Sequence, residues 1–272
     1  MTGIPGNSRP VYLTGDSKGV GTGQSSGSFA IDVALGLVDG LQSRHILGAN
    51  PNVDIASAET IWAPGAIVGV GDAIFPLVPV QLKVATDTAG NTGSVKLLIL
   101  DDDFVETEVI VTLDGTTPVN VGPADGFRMN CLELNDQSTL TGTVYCYHGA
   151  ETAGVPDDLT TIMGVIQAPS DVCFSTVFTI PAGKIGLIPN VWCGENSRKS
   201  ATILANMFYA EVGQKTKDLT FLTTAADGNN QMQQFSVAPR RLPAGTDVFI
   251  NATTDVNDTA IAAAYDIFLA DA

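Results

Sequence analysis

Gly15-Asp16-Ser17-Lys18-Gly19 spells the G-x-S-x-G of a nucleophile elbow, in which a strained strand-to-helix turn presents a serine to a histidine base. Its surroundings argue against that chemistry. Gly19, Gly21 and Gly23 follow where the elbow needs an amphipathic helix, and so Gly-rich a segment cannot hold Ser17 within hydrogen-bond reach of His45 or His148, the two imidazoles of the chain. The same glycines are not followed by Gly-Lys-Ser/Thr, so they do not make a phosphate loop. The densest acidic group is Asp101-Asp102-Asp103, with Glu106 and Glu108 just beyond. Carboxylates so placed can share acid–base work or ligate Ca²⁺ through several oxygens. They also fall between two expected strands, 94–100 and 105–113, where aspartate is favoured because its carboxylate bonds turn backbone. The expectation is a solvated turn; the alternative is a divalent-cation site on Asp101, Asp102 and Asp103, with Ca²⁺ the one cofactor in view. No catalytic set emerges, and the chain reads as a non-enzyme.

Cys131, Cys146, Cys173 and Cys193 stand singly in alternating patterns without Cys-x-x-Cys spacing, which argues against a metal cluster. They read as four small core residues in a reducing compartment, and a cross-strand disulfide such as Cys131–Cys146 stays open. The chain has 29 acidic and 13 basic residues and a net charge of −16, which repels nucleic acid and anionic membranes. Arg240-Arg241 is the one adjacent basic pair and reads as a local salt-bridge site. Aromatics make up 7% of the chain, without interleaved basic residues, so no row of base- or sugar-stacking rings is indicated. Trp192 lies within an apolar strand pattern and is expected in the core, whereas Trp62 could anchor the N-terminal segment on its own lobe or on a neighbour. No basic-then-apolar leader opens the sequence and no run of about 18 apolar residues occurs, so the chain is expected to be made soluble in the cytoplasm.

The elements that would position these residues are strands. Ile180-Pro181-Ala182-Gly183 and Leu242-Pro243-Ala244-Gly245 each end one alternating run and open another; proline presets φ and glycine takes the left-handed position, which predicts hairpin turns. Period-2 patterns predict strands over 66–70, 78–85, 94–100, 105–113, 127–134 and 142–147. A second set follows over 160–167, 172–180, 184–193, 201–210, 218–224, 231–237, 246–252 and 261–270. The polar segment 148–159 between the sets reads as a linker, and 31–41 as a short helix or strand. Helices long enough to cross between parallel strands are absent from the pattern. The expected fold is therefore all-β: two antiparallel β-sandwich, jelly-roll-like lobes at 55–150 and 151–272, preceded by an extended N-terminal arm over 1–54. Only 15% of residues are charged, which suits a subunit that buries much of its surface against others.

Residues 38–45 (VDGLQSRH) followed by 46–54 (ILGANPNVD) resemble the N-terminal block of virion structural proteins of tailed bacteriophages, and 178–183 (FTIPAG) resembles their second-lobe strand and turn. The resemblance implies a component of the virion, made in the bacterial host, with no catalytic residues to carry over. It favours a capsid decoration or cement protein whose arm clamps the major capsid protein and copies of itself, with threefold positions suggesting trimers. Val38, Leu41, Arg44, His45, Ile46, Leu47 and Trp62 are the expected interface residues. The alternative is a receptor- or carbohydrate-binding module on a tail, neck or head fibre.

Overall fold

The computed structural model describes residues 29–55, 57–67, 72–73, 75–122, 126–136, 138–195, 201–224, 231–234 and 240–272. A short helix α1 (Phe29–Ala34) precedes the strands, as the apolar run at 31–41 allowed. Thirteen strands of four or more residues follow among the described residues: β1 (Leu41–Val53), β2 (Lys83–Thr86), β3 (Thr92–Leu100), β4 (Glu106–Asp114), β5 (Arg128–Leu134), β6 (Thr143–Tyr147), β7 (Ile162–Gln167), β8 (Lys184–Glu195), β9 (Ile203–Glu211), β10 (Lys217–Thr224), β11 (Gln231–Gln234), β12 (Thr246–Thr254) and β13 (Thr259–Asp271). The chain is all-β, as its period-2 patterns predict, and the strand expected over 201–210 is found as β9.

One lobe is discontinuous in sequence. A sheet ordered β1-β13-β8-β11 packs on a second sheet in which 178–179, β12, β9 and β10 lie in order and 59–60 adds to β12. Ile46, Ile188, Val191, Tyr265 and Ile267 from the first sheet meet Met207, Tyr209, Val248 and Ile250 from the second in one buried core. The other lobe, spanning 80–173, is inserted between these pieces. Its sheet β7-β6-β2, completed by 119–120, packs on the sheet β4-β3-β5. Alternation explains why β6 is buried along most of its length: Val144 and Cys146 face the lobe's own core, whereas Tyr145 and Tyr147 face Trp62, Ala63 and Ile162 on the other side.

Three expectations change. The arm does not extend to 54, because β1 pairs along its length with β13, Ile46 opposite Tyr265 and Leu47 opposite Ala264. Burying Ile46 and Val53 contributes roughly 1.5–3 kcal/mol each, and a Cβ on Gly48 would lie 2.3 Å from the Ile61 carbonyl oxygen, so β1 is bound closely into the body. Residues 1–28, with the G-x-S-x-G segment, lie outside the described residues. The boundary expected at 150/151 falls inside one sheet: β7 pairs with β6, Ile166 opposite Val144, and 148–159 returns the chain to that sheet through a small hairpin of 151–152 with 155–156. The Pro-Ala-Gly turns are not hairpins. Each carries the chain from one sheet of the terminal lobe to the other, with Gly183 at φ +70° and Gly245 at +75°, and the two turns interlock through Gly245 N–H to Ile180 O and Gly186 N–H to Leu242 O.

The lobes are joined by buried polar bonds. Arg128 of β5 forks onto Asp247 of β12, Nε to Oδ1 at 2.9 Å and Nη2 to Oδ2 at 3.0 Å, with the side chains 2% and 4% exposed. Its Nη1 donates to the carbonyls of Pro76 and Phe127, the guanidinium lies 4.1 Å from the Phe127 ring centre, and Thr179 Oγ1 donates to Asp247. Beside it, Asn130 Nδ2 donates to Thr179 O and accepts the Thr179 N–H on its Oδ1, and Glu106 accepts from both Asn130 and Arg44. Removing one partner strands a buried charge, so Arg128→Met and Asp247→Asn are each expected to lower stability by about 3–5 kcal/mol in denaturant titrations, with less than that sum lost in the double variant. Losses below about 1 kcal/mol would show that the pair does not hold the lobes.

Candidate functional site

The exposed face of the β1-β13-β8 sheet is set by register. His45, Asp266 and Asn190 form one rung across the three strands, and Leu47, Ala264 and Trp192 form the next. Along β8, Val191 and Cys193 point into the core, so Asn190 and Trp192 must point out. Trp192 is half-buried on the outside of the sheet rather than in the core, which corrects the sequence expectation; strand parity against Val191 and Cys193 is the signal that would have placed it there. His45 Nδ1 bonds Asp266 Oδ1 at 2.7 Å, and Asn190 Nδ2 donates to Asp266 Oδ2 at 2.6 Å, so the three polar side chains hold one another in place.

Two grooves meet at His45. The first, of about 310 Å³, is lined by His45, Leu47, Asn190, Trp192, Ala264 and Asp266. The second, of about 210 Å³, lies at the junction of the lobes between β1, β5 and 172–177, with Cys131, Cys173 and Ser175 along it. All four cysteines are free, so the Cys131–Cys146 disulfide left open by the sequence does not form. Burial pushes the Cys131 thiol up to about 11 and those of Cys173 and Cys193 up to about 12, and it raises Cys146 as well. Thiols so protonated are poor nucleophiles and poor metal ligands.

The expected interface residues divide sharply. Ile46 lies in the terminal-lobe core and Trp62 in the junction core, where it packs on its own chain. Arg44 pairs with Glu106 of the inserted lobe and lies 5.8 Å from the Phe178 ring centre. Val38 and Leu41 are half-buried at the turn that opens β1. Only His45 and Leu47 of the seven stand exposed. Arg240, of the pair Arg240-Arg241, lies 4.5 Å from the Tyr209 ring centre, a cation–π contact.

The acidic turn is a turn. Asp101 Oδ1 accepts the backbone N–H groups of Asp103 and Val105, closing the loop between β3 and β4. Among the described residues no three His, Cys, Asp or Glu side chains come together to hold a metal ion, so nothing supports a cation site on Asp101, Asp102 and Asp103. A buried acidic residue lies elsewhere: Glu59 accepts from Asp54 N–H and Asn50 Nδ2, yet burial outweighs these bonds and raises its pKa above the ordinary 4.5.

No protein-family model matches the chain, and no curated protein matches it in sequence. Among solved structures, the infectious bursal disease virus VP2 subviral particle aligns over 85% of this chain and 71% of its own, at 11% identity and a TM-score of 0.23. The Gx strain of that virus aligns over 89% and 78%, at 9% identity and a TM-score of 0.22. Scores of this size fall short of a shared fold. No helix among the described residues is long and apolar enough to cross a membrane.

Two outcomes follow from the buried groups. A thiol reagent such as dithiobis-nitrobenzoate should leave Cys146 and Cys193 of the native protein unmodified over minutes and titrate four cysteines per chain once it is denatured; rapid reaction of Cys146 or Cys193 would contradict their burial. Folded Glu59 holds its proton more tightly than the unfolded chain does, so it adds stability below pH 4.5 that is lost as pH rises through its folded pKa. Glu59→Gln should therefore gain stability relative to the wild type as pH rises from 4.5 to 7, and a pH-independent difference would exclude this effect.

Proposed function

We propose that the chain is a non-catalytic structural protein of a virion, a decoration or cement protein on the capsid of a tailed bacteriophage, whose partners are the major capsid protein and copies of itself. One observation carries the reading. Ile31 and Leu35 share a face of the α1 turn and are 51% and 65% exposed, and Leu37 beside them is 41% exposed. A chain with 15% charged residues that displays three large apolar side chains at one end has a surface suited to burial against another protein. The resemblance of 38–54 and 178–183 to virion proteins names the kind of partner.

The contact surface in this reading is smaller than the arm first expected. Because β1 belongs to the sheet, docking falls to α1 and the turn up to Gly40 rather than to 1–54. Burying these side chains at about 25 cal/mol per Å² strengthens the shell without an unfolded strand having to order at each contact. Trimers at threefold positions fit this role.

Ile31→Asp with Leu35→Asp, made in the full chain, is expected to leave the thermal midpoint within a few degrees of the wild type and to reduce co-sedimentation with purified phage capsids at least tenfold. Undiminished capsid binding would reject α1 as the docking element. Absence of the wild-type protein from purified particles by mass spectrometry would reject the virion role itself.

A further inference from the structure

We propose that the groove on the outer face of the β1-β13-β8 sheet binds a single neutral hexopyranose, the terminal sugar of a glycan, with Trp192 as its stacking platform and His45, Asp266 and Asn190 as its hydroxyl partners. The geometry is that of two adjacent rungs. Trp192, Ala264 and Leu47 make an apolar strip, and the polar rung lies two residues along the strands, about 7 Å away. A pyranose has one face of C–H bonds and a rim of hydroxyls. Seated on the indole, it meets the polar rung with its edge.

The polar groups retain capacity for such a ligand. His45 uses Nδ1 and Asn190 uses Nδ2 in holding Asp266, which leaves His45 Nε2 and Asn190 Oδ1 without a bond among the described residues. Each Asp266 oxygen accepts one bond and keeps a second lone pair. Trp192 is half-buried, and no bond or ring contact engages it among the described residues, although a tryptophan this buried usually finds a partner for its N–H. His45, Asp266 and Asn190 are thus fixed by one another before a ligand arrives, which reduces the ordering cost of binding.

Size and charge select the ligand. The groove's volume of about 310 Å³ is at the small end for ligand sites, which is room for one ring rather than an oligosaccharide or a nucleotide. A carboxylate in its wall, on a chain of net charge −16, disfavours sialic or uronic acids. This site stands apart from the capsid assignment: it uses the outer face of the sheet, not α1.

The test is saturation-transfer NMR and acrylamide quenching with the methyl glycosides of glucose, galactose, mannose and N-acetylglucosamine at millimolar concentration, and N-acetylneuraminic acid as the anionic control. Trp62 is 3% exposed, so the quenchable emission is that of Trp192. At least one neutral glycoside should show saturation transfer and lower the quenching constant twofold or more. Trp192→Ala should abolish both signals, and Asn190→Ala should weaken binding about tenfold. His45→Ala, at an exposed position, should weaken it to a similar degree and leave the thermal midpoint within a few degrees of the wild type. The proposal is overturned if no neutral glycoside gives transfer, if transfer survives both Trp192→Ala and His45→Ala, or if only N-acetylneuraminic acid binds. Quenching of Trp192 that falls with protein concentration in the absence of sugar would overturn it too, by giving the face to a second copy of the chain.

Discussion

The two-lobed body depends on one desolvated ion pair. Arg128 and Asp247 come from different lobes and from strands 119 residues apart, and each is buried where an unpaired charge would cost several kcal/mol. Their fork leaves little freedom: two parallel bonds fix the guanidinium plane, two carbonyls take its remaining side, and Phe127 and Phe75 lie near its faces. Burying such a pair adds less to stability than an apolar contact of the same size would. Its effect is on specificity, because any sliding of one lobe on the other leaves both charges unpaired.

From that seam the rest of the junction follows. Thr179, which bonds Asp247, is also gripped on its backbone by Asn130, and Asn130 shares Glu106 with Arg44 of β1. The first strand is therefore held twice, by β13 along its edge and by the inserted lobe through Arg44. That double hold places His45 at the meeting point of the two grooves, with Leu47 beside it on the exposed face. An element that its sequence context presents as a loose leader is among the most constrained strands of the molecule.

The fold class was legible in the sequence because alternation is local. Runs such as 94–100, 105–113 and 261–270 carry their period-2 pattern without reference to any partner, and all three are strands. Pairing is not local. Nothing in Ile46 or Leu47 says that their neighbours are Tyr265 and Ala264, more than 200 positions on, so β1 reads locally as an arm and the insertion of 80–173 between two pieces of one lobe has no local signature. The Pro-Ala-Gly turns show the same division. Their glycines take the left-handed conformation that the residues call for, but whether such a turn folds back in one sheet or crosses to the facing one depends on the sandwich around it. Within the outer groove, parity along β8 contained the outward direction of Trp192, whereas its companions His45 and Asp266 arrive only through register.

The most direct measurement is native-state hydrogen exchange at the Thr179 amide, which donates to Asn130 Oδ1 across the seam. If the buried network makes one body of the two lobes, this amide exchanges only through the same global opening that releases Leu97 in the core of one lobe and Ile267 in the core of the other. Exchange of Thr179 through a low-energy opening while both cores stay protected would contradict it, and would mean that the lobes move independently about a seam that does not hold them.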